Sequence, residues 1–197
     1  MAYLSRAFAP VLVLALATGG IAQVKAPRSA VAAQAAPAVK VDPTAWLYKG
    51  SDLPHPNAYT LLPEDDTVWI GTRRGLAVLR GDRLERPAEF SAFRGAQING
   101  ILRDHRGALW FATTQGLYRH ARGELRGFGP EDGLRETRTR LMLETHDGRL
   151  LLGTQAGLFE VIGDRVEALG ADQGLPDNVD VTAIHELPGG ELVIGTL

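Results

Sequence analysis

Four copies of one short phrase recur along the chain: Trp69-Ile70-Gly71-Thr72, Trp110-Phe111-Ala112-Thr113, Leu151-Leu152-Gly153-Thr154 and Val193-Ile194-Gly195-Thr196. Their threonines stand 41, 41 and 42 residues apart. Self-similarity at a period of about 40 marks architectures built from units that cannot bury their apolar faces alone and must stack on their neighbours.

The third copy shows what the unit is. Residues 139–145 alternate apolar and polar, Asp147-Gly148 supplies a hairpin turn, and residues 149–154 form a second strand. Gln155-Ala156-Gly157 turns the chain into a third strand over 158–162. Gly163-Asp164 turns it again into a fourth, more polar strand over 165–169. Gly and Asp serve such corners because tight hairpin turns need positive φ. Four antiparallel strands in 41 residues predict one β-propeller blade. The other copies keep the register: Gly75-Leu76, Gly116-Leu117 and Gly157-Leu158 open the third strand, and Gly133-Leu134 and Gly174-Leu175 mark the crossing between blades. No 3.6-residue periodicity favours a helical repeat. The predicted fold class is therefore all-β, with blades over about 55–90, 97–129, 138–170 and a partial fourth over 179–197. Residues 45–48 form an outer strand without a blade of its own. Three blades and half a fourth do not close a ring, since propellers close with about 4–8 blades, so the chain is expected to be part of a larger propeller.

The phrase reads as packing. Trp69, Trp110, Leu151 and Val193 share one position of the second strand, where a blade faces its neighbour, and each large side chain contributes about 1.5–3 kcal/mol on burial. Gly or Ala two residues later permits close backbone approach. The threonine favours the strand and can hydrogen-bond into the turn. A tryptophan ladder for stacking sugars or bases is the less favoured alternative.

Composition narrows the class. Net charge is −2, with 45% hydrophobic and 22% charged residues, so no basic field suggests a nucleic-acid partner. Cysteine is absent, which excludes disulfides and thiolate metal sites. Residues 1–22 read as a secretory signal: Arg6, an apolar run over 7–17 too short to span a bilayer, and small residues at Gly20-Ile21-Ala22. The Ala/Pro/Val-rich stretch 23–44 reads as a disordered tether, and 45–197 as the partial propeller.

The run from Asp104 to Tyr118, with Gly107, Leu109, Trp110, Thr113, Gly116 and Leu117 at their places, resembles the two-component regulator propeller repeat (consensus D-x-x-G-x-L-W-I-G-T-x-x-G-L-Y). Gly174-Leu175-Pro176-Asp177-Asn178-Val179 resembles that family's linker. Leu151 and Val193 depart from its tryptophan and Phe159 from its tyrosine. The resemblance covers residues 45–197. It implies the periplasmic sensor portion of a bacterial signalling protein, anchored in the inner membrane in its full-length form, whose output is a histidine kinase or diguanylate cyclase.

Candidate chemistry is sparse. His105 and His146 lie one period apart at the same hairpin, but equivalent loops of adjacent blades are too far apart to share a metal at ~2 Å. They read as turn residues, and His55, His120 and His185 form no set with them. Thr72, Thr113, Thr154 and Thr196 recur too regularly for a unique nucleophile. Asp65-Asp66, Asp132 and Asp172 have turn roles, and Gly127-Phe128-Gly129 precedes no helix, which removes a dinucleotide site. Arg73-Arg74, Arg103, Arg106, Arg135, Arg138 and Arg140 lie near loops and read first as solvated charge on strand edges, which blocks edge-to-edge pairing. A cluster on one rim that binds an anionic saccharide or another acidic ligand is the less favoured alternative. No catalytic residue, metal site or cofactor is expected, and ligand-binding residues are not identifiable. The expected function is a non-catalytic, exported, ligand-sensing module for a small molecule or saccharide bound at the central channel or loop-bearing rim. Its further partners are the remaining blades and the output module. A propeller enzyme (lyase or glycan-active) and a structural scaffold are the alternatives.

Overall fold

A computed structural model describes residues 11–14 (as backbone), 53–176 and 178–197. The stretches read as signal, tether and outer strand therefore lie outside the described residues, apart from 11–14. The described residues include fifteen strands. After β1 (Val11–Leu14) come β2 (Ala58–Glu64), β3 (Thr67–Thr72), β4 (Gly75–Arg80) and β5 (Arg83–Glu85). The second sheet comprises β6 (Ile98–Arg103), β7 (Leu109–Thr113), β8 (Gly116–Ala121) and β9 (Glu124–Phe128). The third comprises β10 (Thr139–Glu144), β11 (Leu150–Thr154), β12 (Gly157–Ile162) and β13 (Arg165–Leu169). β14 (Val181–Glu186) and β15 (Leu192–Thr196) follow.

These strands form three four-stranded antiparallel meanders, β2 to β5, β6 to β9 and β10 to β13, each in sequence order. The fold is all-β and its units are blades. The fourth sheet orders β1, β15 and β14, with β1 parallel to β15 where the other sheets carry an antiparallel third strand. Among the described residues only short 3-10 turns are helical, and no helix is long and apolar enough to cross a membrane.

Blade stacking follows from period-2 alternation in the second strand. Trp69, with Leu76 and Val78, faces Leu109, Phe111 and Ile101 of the next sheet. Trp110, with Leu117 and Phe128, faces Leu150, Leu152 and Phe159. Leu151, with Leu158, faces Leu192 and Ile194. The first residue of the repeated phrase thus packs forward and the second packs backward. The small third residue lets the next inner strand approach. A Cβ added at Gly71 would fall 2.8 Å from Ile98 Cγ2, and one at Gly153 would fall 2.9 Å from Val181 Cγ1. The threonine does what its place predicts. Thr72, Thr113 and Thr154 each donate to the carbonyl of the glycine three residues on, at 2.7, 2.8 and 3.0 Å. Each also accepts from the N–H two residues on.

Two crossings share one design. Gly129 and Gly170 open 3-10 turns Pro130–Asp132 and Ala171–Gln173, which end on left-handed Gly133 and Gly174. Leu134 and Leu175 then plug the space between blades, 0% and 1% exposed. The first crossing departs from it. β5 is only three residues long and is followed by a 3-10 segment, Ala88–Phe93. Phe90 and Phe93 enter the interface there, so residue 90 belongs to the wedge rather than to a strand. Phe93 meets Phe111 at a tilt and Tyr118 edge-on, both at centroid distances of 5.1 Å, and Phe90 meets Trp69 edge-on at 5.6 Å. Such pairs add to simple area burial.

Candidate functional site

In each meander, the entrance to the inner strand and the turn joining second to third strand lie at one end. The other two hairpin turns lie at the opposite end. The two rims differ in chemistry, and the difference separates the arginines that proximity to loops had grouped.

Arg73, Arg74, Arg138 and Arg140 lie at the first rim, on the turn after β3 and at the entrance to β10. Arg103 and Arg106 lie at the other, among carboxylates. The arginines near loops thus fall into two groups and not one cluster on one rim, because antiparallel meandering sends alternate loops to opposite ends. Arg103 binds Glu64 of the preceding blade through Nη2 at 2.7 Å, and Glu64 also accepts the indole N–H of Trp69 at 2.8 Å. The Arg103 hydrogen bond holds the Glu64 carboxyl below its ordinary pKa, against an opposing push from burial. Glu64 in turn raises the Arg103 pKa.

The same rim accounts for the histidines at its hairpins. The His105 ring contacts the Glu144 carboxylate of the next blade, and the backbone N–H of His105 donates to it at 3.0 Å. His146 N–H donates to Glu186 at 2.7 Å, one period later. These contacts, with Arg103–Glu64, tie each blade to its neighbour. Elsewhere, the His55 ring accepts from Asn57 N–H at 3.1 Å, and His120 packs on Phe90 with centroids 5.0 Å apart. His185 is exposed on β14. Among the described residues no three His, Asp or Glu side chains are grouped to hold a metal ion. Asp132 accepts from Gly129 N–H at 3.1 Å and from Arg126 at 2.8 Å, consistent with a turn role.

The first rim carries a feature that sequence did not disclose. Every inner strand is bulged at the same register: between Ala58 and Thr60, Ile98 and Gly100, Thr139 and Leu141, and Val181 and Ala183. The extra residues are Tyr59, Asn99, Arg140 and Thr182. A bulge leaves one residue outside the ladder and re-aims its side chain, and bulges recur beside functional sites for that reason. Here all four line one recess of about 560 Å³, with Gln97, Thr114, Arg138, Leu141 and Gln155.

Its geometry is held by inter-blade hydrogen bonds. Gln97 Nε2 donates to Asn99 Oδ1 at 2.7 Å, and Asn99 Nδ2 donates to the Thr139 carbonyl of the next blade at 2.7 Å. One period on, Arg140 Nη2 donates to Asp180 Oδ2 at 2.8 Å. The Asp180 Oδ1 atom is buried and has no partner among the described residues. Arg138 is exposed, its backbone N–H held by Glu136 at 2.8 Å, and its guanidinium meets no acceptor among the described residues. The signal in the sequence was faint. Tyr59, Asn99, Arg140 and Thr182 are a position at which the repeats disagree in residue type, next to positions at which they agree.

No family model and no curated protein matches the chain. Solved structures do. The extracellular domain described as that of a hybrid two-component system, BT3049, of B. thetaiotaomicron superposes with a TM-score of 0.61 and 20% identity, over 72% of this chain and 21% of that one. A second extracellular domain from the same organism, BT4673, superposes with a TM-score of 0.58 and 23% identity, over 71% of this chain and 20% of that one. The chain thus spans about one-fifth of the length of these structures. Virginiamycin B lyase from Staphylococcus aureus superposes at 0.50 with 14% identity, so blades of this shape also occur in an enzyme. At these identities the likeness concerns fold: the chain is a run of propeller blades of the kind found in extracellular domains of bacterial signalling systems, which agrees with the repeat its sequence resembles.

Proposed function

We propose that the chain is a ligand-sensing propeller segment of an exported bacterial signalling protein, non-catalytic in this portion, with its ligand in the recess bordered by the four bulges. The carrying observation is that bulge ring. Three blades and the β14–β15 hairpin share one packing plan, yet at one position each presents a different polar or aromatic side chain to a common space. Repeat positions that agree serve packing, and positions that disagree while facing one recess are free to serve recognition. Support for a sensor comes from the likeness to extracellular domains of signalling systems and from the repeat resemblance. Export to the periplasm rests on residues 1–22, and anchoring of the full-length protein and a kinase or cyclase output rest on the resemblance alone.

The test is a screen of small metabolites and oligosaccharides by thermal shift, followed by amide chemical-shift mapping of any binder. A binder that perturbs Gln97, Asn99 and Arg140 and is recovered unchanged supports the proposal. Perturbation confined to the opposite rim, or conversion of the bound compound, overturns it.

A further inference from the structure

We propose that the recess bordered by the bulges selects a hydroxylated ligand bearing a carboxylate, with Arg138 as the anchoring group. This rests on the recess being the ligand site.

Charge is the first ground. Among the residues that line the recess are two guanidiniums, Arg138 and Arg140, and no carboxylate. Arg140 is already committed to Asp180 at 2.8 Å, both side chains being partly buried. Arg138 has no such partner among the described residues. The Glu136 carboxylate lies on the Arg138 backbone N–H at 2.8 Å and leaves the guanidinium itself open, so the recess presents one open planar fork, the geometry that grips a carboxylate through two parallel hydrogen bonds.

The second ground is the separation of charge between rims. Glu64, Asp104, Glu144, Asp147 and Glu186 all sit at the opposite end of the inner strands and their hairpins, where they bind arginine, indole, threonine hydroxyl or backbone N–H groups of the blades. At the first rim Arg73, Arg74 and Arg138 stand with two carboxylates, Glu136 on the Arg138 N–H and Asp180 on Arg140, both already engaged. The third ground is the amide set. Gln97 and Asn99 hold each other, and Asn99 is fixed to the Thr139 carbonyl. That leaves the Gln97 carbonyl and the exposed Gln155 amide as a donor and acceptor pair for ligand hydroxyls. The exposed ring of Tyr59 provides a flat apolar wall. Arg138 anchors, Arg140 is oriented by Asp180, and the amides discriminate.

Two sources carry such chemistry, uronic-acid sugars and free hydroxy acids, and one experiment separates them. Binding of the full chain is measured by calorimetry for digalacturonate, its dimethyl ester and citrate, with Arg138→Gln and, as a control on β5, Arg83→Gln. The expected result is binding of at least one acid, weakened about tenfold or more by Arg138→Gln and unchanged by Arg83→Gln, with the ester no better than the Arg138→Gln complex. Preference for digalacturonate assigns a uronate ligand, and preference for citrate a hydroxy acid. Failure of both acids to bind, equal binding of acid and ester, or indifference to Arg138→Gln overturns the carboxylate assignment. A neutral compound that binds the recess and is lost in Asn99→Ala but kept in Arg138→Gln overturns the carboxylate assignment alone and leaves the site standing. Arg138 is exposed and its side chain makes no hydrogen bond or ion pair among the described residues, so its substitution leaves the thermal midpoint in place, and an unchanged midpoint verifies that the readout is not unfolding.

Discussion

Trp110 donates its indole N–H to Oδ2 of Asp104 at 2.8 Å, while the other carboxylate oxygen of Asp104 accepts the backbone N–H groups of Arg106 and Ala108. One side chain closes the hairpin before β7 and satisfies the buried indole that fills the interface after it. In the preceding blade Glu64 takes the Trp69 indole in the same manner. In the third blade Leu151 replaces the tryptophan, and Thr145 stands where Asp104 does. Its hydroxyl accepts from Arg149 N–H at 3.0 Å and closes the turn without an acceptor for an indole. The carboxylate and the tryptophan are thus retained together and lost together.

Removing the carboxylate should therefore cost more than a surface hairpin would. Asp104→Ala leaves the Trp110 indole, in a side chain 4% exposed, and two turn N–H groups without their acceptor, for an expected loss of about 2–3 kcal/mol. Asp104→Thr with Trp110→Leu reproduces the third blade and should be destabilised by less than the sum of its single changes, with a coupling of about 1 kcal/mol. Urea unfolding of the four proteins measures the cycle, and strict additivity would contradict the linkage.

That pair shows what was legible in the sequence and what was not. The period, the four strands per blade and the forward-facing Trp110 follow from alternation and turn chemistry, which are local and repeat in every copy. The fourth strand of the first blade was not legible beyond Glu85, because Phe90 and Phe93 belong to a tertiary wedge with no counterpart in the other copies. Nor was the bulge ring. A bulge shifts pairing by one residue without any local signature, and Tyr59, Asn99, Arg140 and Thr182 share no chemistry that a search for recurrence would find. The arginines were visible as residues, but only strand direction assigns Arg138 to one rim and Arg103 to the other.

The Glu64–Arg103 contact makes folding sensitive to acid. The Glu64 pKa is below its ordinary value of 4.5, chiefly through the Arg103 hydrogen bond, so the unfolded chain binds this proton more readily than the folded one. The contribution is full above the ordinary value and is lost as pH falls through the lowered folded value. Urea midpoints measured between about pH 5 and pH 3 should fall less steeply in Glu64→Gln than in the parent. Parallel curves would remove Glu64 from the acid limb.

Two glycines with positive φ should respond differently to alanine. Gly133 has φ +103°, and a Cβ there would lie 2.1 Å from the Val166 carbonyl oxygen, a backbone atom that cannot swing aside. Gly123 has φ +80° with nothing within 4 Å. Gly123→Ala should cost about 1 kcal/mol from conformation alone, whereas Gly133→Ala should cost about 3 kcal/mol or more, because the inter-blade crossing must move. Comparable losses at the two positions would show that conformation, not the close approach, decides.

The threonine of the repeated phrase offers the sharpest division between a packing role and a chemical one. Thr113 is fully buried. Its hydroxyl donates to the Gly116 carbonyl at 2.8 Å and accepts from Gln115 N–H at 3.0 Å, so both functions of the oxygen are used inside the turn. Thr113→Val keeps the shape and the strand preference but strands that N–H, for an expected loss of about 1–3 kcal/mol. Thr113→Ser keeps both hydrogen bonds and loses only a methyl group, about 1 kcal/mol. Valine should therefore lower the unfolding midpoint more than serine, while any ligand bound at the recess is held equally by the folded fraction of both. A serine variant as unstable as the valine variant would assign the cost to packing, and lost binding in folded Thr113→Val would mean that the turn hydroxyl also shapes the recess beside Thr114.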